Sequence, residues 1–309
     1  MNMRLIRLHL FSRSYPILFF MLISTGLFAA TPVNDTSGKL LLAALNKKDK
    51  PGYFTKEANV VFPEVLSDNK EQSVDYIENF ANNRREYIIR TYKRSKKYFP
   101  KVISILKKYN FPNELTVLLA LESAFKANTV SKAGAVGYWQ FMDEVGKEYG
   151  LKVVAHLSAD EKKKLIKKDK KKAIEIIKKM AKGKDDRQNF SKSTYAAARY
   201  LKDRGRNLNN DILLMVASYN CGIGNVWNAI ASSGKKNSTF WDIKDYLPAE
   251  TRAYVMNFIT LNVIFSNYDK FADNTLAFKP AKIKLDNSTQ YNMREGLDET
   301  RSASGNNKD

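Results

Sequence analysis

Glu114-Leu-Thr-Val-Leu-Leu-Ala-Leu-Glu122 carries six apolar side chains in nine positions. Asn113, behind Pro112, is placed to cap a helix that opens at Glu114. Leu115, Val117, Leu118, Leu119, Ala120 and Leu121 cover that helix nearly all round, which predicts burial. Its last turn ends on Glu122. Burial disfavours the charged form of a carboxyl group, and the helix C-terminal dipole acts in the same direction. A carboxylic acid still protonated near neutral pH suits a general acid for glycoside cleavage. A buried glutamate satisfied by a backbone or arginine partner is the plain structural alternative, and this residue alone does not choose between them.

Helical spacing dominates the rest of the chain. Ile77, Phe80, Ile88 and Tyr92, then Val102, Ile105, Leu106 and Tyr109, predict two helices between 74 and 109, with Pro100 opening the second. Further helices are expected at 141–149, 192–204, 210–219, 222–233 and 248–267. Strand-like alternation is scarce, so the chain reads as mainly α. Residues 158–183 form a lysine-rich helical unit, with capping-box spacing at Ser158 and Glu161 and a stop at Gly183. Leu165, Ile166, Ala173, Ile176, Ile177 and Met180 give it an imperfect apolar stripe. It reads either as a docked surface helix or as a helix for a membrane surface or partner.

Composition narrows the chemistry. The 309 residues are 44% apolar and 27% charged, which is enough apolar material for one or two packed domains. His9, His156 and Cys221 are the whole complement of histidine and cysteine. That excludes a disulfide framework and a structural zinc site of the usual ligands, and it leaves acid–base chemistry to carboxylates. No metal or cofactor is expected. The net charge of +20 is uneven: residues 151–190 hold 14 Lys and Arg against 6 Asp and Glu. No nucleic-acid motif accompanies them, so nucleic acid is not the expected partner. A solvated face or attraction to an anionic envelope surface accounts for the charge.

The N-terminus reads as a targeting segment. Arg4, Arg7 and Arg13 precede an apolar run, Ile17 to Phe28, and Ala29 and Ala30 offer a cleavage site. Residues 1–30 are therefore expected to be a signal peptide, with an uncleaved membrane anchor as the alternative because Leu27 or Phe28 replaces the usual small residue. No cysteine lies there for a lipoprotein anchor. Export to the bacterial envelope, to the periplasm, follows.

Two further clusters hold residues suited to sugars. Ser131-Lys-Ala-Gly134-Ala-Val-Gly137-Tyr138-Trp139-Gln140-Phe141-Met142 combines glycines, aromatics and an amide, and Ala217-Ser218-Tyr219-Asn220-Cys221-Gly222 joins an apolar helix to a glycine turn. Each alone reads equally as a tight helix–helix turn. A fourth stretch is Leu247-Pro-Ala-Glu-Thr-Arg-Ala-Tyr254-Val255.

Taken in order, Glu122-Ser123, Gly137-Tyr-Trp-Gln140, Ser218-Tyr-Asn220 and Tyr254 resemble the four motifs of soluble-lytic-transglycosylase-type domains. Glu250-Thr-Arg-Ala-Tyr254-Val and Ser193-Thr-Tyr-Ala-Ala-Ala-Arg-Tyr-Leu201 look like the membrane-bound lytic murein transglycosylase D branch. The resemblance spans roughly 76–267. It implies a lysozyme-like transglycosylase fold with the lysine-rich helix inserted. It also implies cleavage of the β-1,4 bond between N-acetylmuramic acid and N-acetylglucosamine of peptidoglycan, leaving a 1,6-anhydromuramyl end. By the same resemblance Glu122 is the single acid–base residue, and Ser123, Gln140, Met142, Tyr219, Asn220 and Tyr254 line the cleft. Ser218, Cys221 and Tyr138 depart from the usual residues at their positions.

The implied organisation is a signal peptide (1–30), an arm (31–75), a catalytic domain (76–271, with the basic insertion at 158–183) and a mobile tail (272–309). Two rivals share the fold. A lysozyme-type hydrolase needs a positioned water and a second carboxylate, for which Asp143, Glu144 and Asp242 are candidates by type. A wall-binding scaffold needs no protonated acid.

Overall fold

The computed structural model describes residues 53–154, 159–180 and 183–284. The leader, Ser158, His156 and the chain beyond 284 lie outside the described residues. The described chain is mainly α, as expected, and divides into two compact units: residues 80–262, and residues 53–79 with 263–284.

In the larger unit the apolar stretch leading to Glu122 is a 3-10 turn, Asn113–Thr116, running into helix α3, Val117–Ser123. Asn113 does not cap it by a side-chain bond but lies inside the 3-10 turn. Leu115, Leu118 and Leu119 are fully buried, each contributing about 2 kcal/mol of apolar burial. Ala124 ends the helix in the left-handed region and donates its amide to the Ala120 carbonyl at 3.0 Å. Phe125 behind it is also left-handed. Its ring stacks on Tyr98 at 5.3 Å and meets Phe99 edge-on, which holds this uncommon backbone in place.

The two expected N-terminal helices are α1, Lys70–Asn83, and α2, Arg85–Lys107. The break falls at Arg84, and Pro100 lies inside α2 rather than opening a helix. Proline removes one helical bond, to the Lys96 carbonyl. Pro100 and Lys96 are both exposed, so solvent can take the missing bond and the helix runs on. Later come α4, Asp143–Glu148, and α7, Phe190–Asn207, capped by Asn189. Helix α8, Ile212–Cys221, is capped by Asp211, which accepts from the Leu213 and Leu214 amides at 3.0 and 2.9 Å. Helix α9 is Ile223–Ser233, α10 is Phe240–Ile243 and α11 is Ala249–Ser266. These bounds lie close to the expected ones. The lysine-rich stretch is helical in two pieces, α5 (Ala159–Lys168) and α6 (Lys170–Met180), separated at Asp169.

The smaller unit contains the strands that sequence patterning did not suggest. Tyr53–Lys56 (β1) pairs antiparallel with Ala281–Lys284 (β2), Tyr53 opposite Lys284. Asn59 accepts from the Ala277 amide at 2.8 Å and donates to the Thr275 carbonyl at 2.9 Å. Asn267 bonds both backbone groups of Val61. Such pairings between distant side chains and backbone carry no periodicity, so they are silent in a pattern reading. No helix among the described residues is long and apolar enough to cross a membrane.

Candidate active site

Four hydrogen bonds close a ring through the four sequence clusters. Ser123, after Glu122, donates its hydroxyl to the Tyr138 carbonyl at 2.8 Å. Tyr219 donates its phenol to the next carbonyl, that of Trp139, at 2.9 Å. Thr251 donates to Oδ1 of Asn220 at 2.8 Å. Tyr254, one turn on in α11, donates to Oε1 of Glu122 at 2.5 Å. Stretches far apart in the chain thus meet around one carboxyl group.

Glu122 keeps a little exposed surface, yet protein surrounds its carboxyl on nearly every side. Burial pushes its pKa up to about 8; the Tyr254 bond opposes this, and the negative charge of Glu250 adds to it. Glu122 is therefore an acid that still holds its proton at neutral pH. Burial, and then the Glu122 charge, hold the Tyr219 and Tyr254 phenols well above their ordinary range, so both remain donors.

The loop carrying Tyr138, Trp139 and Gln140 is built around glycine. Val136 bridges to both Val130 and Phe141, and the Gly137 amide donates to the Thr129 carbonyl at 2.9 Å. Gly137 has φ +87°, and a Cβ there would lie 2.1 Å from the Arg187 carbonyl oxygen. No other residue fits. Gln140 follows at φ 49° and donates its amide to the Thr129 and Gly137 carbonyls at 3.1 and 2.8 Å. Trp139 is fully buried, its indole bonded to Thr194 in α7 at 3.0 Å.

The other expected lining residues are placed as follows. Ser123 is buried and braces the loop. Met142 is 43% exposed at the start of α4. Tyr219 and Asn220 are half-buried at the end of α8. Tyr138 packs between Tyr98 and Phe190, at 5.8 and 5.2 Å. Burial raises the Cys221 thiol, which disfavours the reactive thiolate.

Sequence reading missed three contributors. Arg187, in a lysine-rich region, is fully buried. It pairs with Asp185 at 2.7 Å and with Asp143, and donates to the Phe141 and Val154 carbonyls at 3.1 and 2.9 Å. Tyr200 sets its ring edge-on to Tyr219 at 5.3 Å. Tyr200 and Thr251 both lie in stretches named for the resemblance, without being singled out there. The neighbouring acids Asp185 and Asp186 were the available signal for Arg187.

Of the carboxylates weighed as a second catalytic group, Asp143 is bound to Arg187 and Glu144 is exposed. Asp242 closes the capping box of α10 and pairs with Lys235. Glu250, not among them, is the carboxylate whose charge reaches Glu122. No group of three or more metal-ligating side chains converges among the described residues. A separate pocket of about 530 Å³, bounded by Tyr109, Tyr149, Arg199, Lys202 and Arg206 among others, contains no residue of the four clusters.

Residues 102–241 match the Transglycosylase SLT domain family. The match covers somewhat less than half of the chain and ends before α11, which supplies Thr251 and Tyr254. Over 204 residues the chain is 29% identical to membrane-bound lytic murein transglycosylase D from two strains of Escherichia coli, covering 65% of this chain and 38% of the relative. Two solved structures are similar at lower identity. The lytic transglycosylase Slt of Pseudomonas aeruginosa, an inactive mutant, is 18% identical over 57% of this chain and 24% of that one, with TM-score 0.36. The 70 kDa soluble lytic transglycosylase of Escherichia coli is 17% identical over 56% and 25%, with TM-score 0.38.

Proposed function

We propose that the chain is a lytic transglycosylase acting on peptidoglycan glycan strands. It cleaves the β-1,4 bond between N-acetylmuramic acid and N-acetylglucosamine and leaves a 1,6-anhydromuramyl end, on a lysozyme-like domain. Glu122 is the acid–base residue. Its proton goes to the glycosidic oxygen as the C1–O bond breaks. The carboxylate then takes the proton of the muramyl 6-hydroxyl, whose oxygen closes onto C1. Water is not consumed, so one carboxyl group suffices where most glycosidases need two. Gln140, Tyr219, Asn220 and Met142 bind the sugars; Ser123 and Tyr254 hold the loop and the acid.

The observation that carries this reading is the buried Glu122 carboxyl bonded to Tyr254 inside the ring of four clusters, where burial lifts its pKa to about 8. The hydrolytic alternative rests on the nearness of Glu250, in place of the three carboxylates expected by type. Export to the periplasmic side of the envelope accords with the substrate and with the relatives, which are named membrane-bound murein enzymes. The lysines of α5 and α6 attract an anionic envelope surface; nucleic acid has no part.

The test uses purified protein and its Glu122→Gln variant on isolated sacculi. Clearing by the first, with binding but no clearing by a folded variant, is expected. A variant that clears at near-normal rate would remove Glu122 as the acid.

A further inference from the structure

The two amides at the site differ in what surrounds them. Gln140 turns its Nε2 inward, donating to the Thr129 and Gly137 carbonyls at 3.1 and 2.8 Å. Two carbonyl partners fix that orientation, because a reversed amide would set its oxygen against both. Oε1 has no protein donor among the described residues and is left as an acceptor. Asn220 is held in the opposite sense. Its Oδ1 accepts from Thr251 at 2.8 Å, and Thr251 is 1% exposed, in the first turn of α11. The oxygen is thereby turned toward the protein, and Nδ2, without a protein acceptor among the described residues, is left as a donor. The Tyr219–Trp139 bond at 2.9 Å ties together the residues beside each amide.

We propose that Thr251 is a positioning residue that fixes Asn220 as a hydrogen-bond donor, so that Asn220 and Gln140 form a donor–acceptor pair matched to a sugar acetamido group. An acetamido group offers one carbonyl oxygen and one N–H, the complement of that pair. Thr251 touches no substrate; it acts through the Asn220 side chain. The inference rests on the transglycosylase reading and deepens it by naming what sets the polarity of the sugar contact.

Binding in the Glu122→Gln background separates this step from turnover. The probes are a peptidoglycan-derived tetrasaccharide and its de-N-acetylated form, titrated by calorimetry. Thr251→Val is expected to weaken binding of the acetylated probe about tenfold and to leave the de-N-acetylated probe unchanged, while Thr251→Ser restores affinity to within about twofold. Equal loss on both probes would mean a merely structural role and overturn the proposal, as would no loss on either. Should Thr251→Val not fold, Thr251→Ala takes its place and must lose the acetylated probe selectively; Asn220→Asp, whose carboxylate cannot donate, must show the same selective loss, or the proposal fails. If the Glu122→Gln protein with Thr251 intact binds neither probe, the transglycosylase reading itself fails. Loss of acetamido dependence alone leaves that reading standing.

Discussion

Glu122 sits at the end of an apolar helix, and burial raises its pKa to about 8 although Tyr254 bonds its carboxyl. Activity that needs the protonated acid should fall as pH rises through about 8, measured as initial rate against pH. Tyr254→Phe removes a bond that lowers this pKa, so the alkaline limb should move to higher pH and the rate fall about 10- to 100-fold. A limb that moves down would contradict the geometry. Stability follows the same sign. The folded pKa lies above the ordinary carboxyl value of 4.5, so the folded state binds more protons between pH 4.5 and about 8. The penalty for Glu122 is absent below that window and complete above it. Glu122→Gln should therefore melt higher than the parent, with an advantage that grows from pH 5 to pH 9 by about 2 kcal/mol, a figure kept small because Glu122 still meets solvent.

Among the elements, the loop from Thr129 to Met142 depends on two residues with different visibility in the sequence. Gly137→Ala would drive a Cβ to 2.1 Å from the Arg187 carbonyl. It should cost about 3 kcal/mol or more by chemical denaturation, along with activity, since Trp139 and Gln140 follow directly. Arg187→Met leaves Asp185 and Asp143 without their cation and should cost about 3–5 kcal/mol. Gly137 was legible as a member of a glycine-rich cluster. Arg187 was not, because a basic residue near thirteen others reads as solvated until its distant partners are in place. The same reason governs Pro100, where local propensity predicted a helix start and packing on either side carried α2 through. The helix bearing Glu122 was legible because its burial is written into consecutive residues. The hydrogen bonds that aim Glu122 and Asn220 join positions 132 and 31 residues apart, and no local pattern records them.

For the whole molecule, net charge is the property most exposed to misreading. Helices α5 and α6 hold ten lysines against three acids, and Ile166 and Ile174 are exposed among them at 43% and 44%. Replacing Lys167, Lys168, Lys170, Lys171 and Lys172 by Gln should weaken association with anionic phospholipid vesicles at about 50 mM salt, and the difference should vanish near 300 mM. Salt-independent binding, unchanged by the substitutions, would contradict an electrostatic role. The central claim is that Glu122 cleaves the glycan by closing an anhydro ring without water. Mass spectrometry of the muropeptides released from isolated peptidoglycan tests it most directly. The expected products are lighter by one water than reducing-end sugars and absent with Glu122→Gln; reducing-end products from the unsubstituted protein would contradict the claim and turn attention to Glu250.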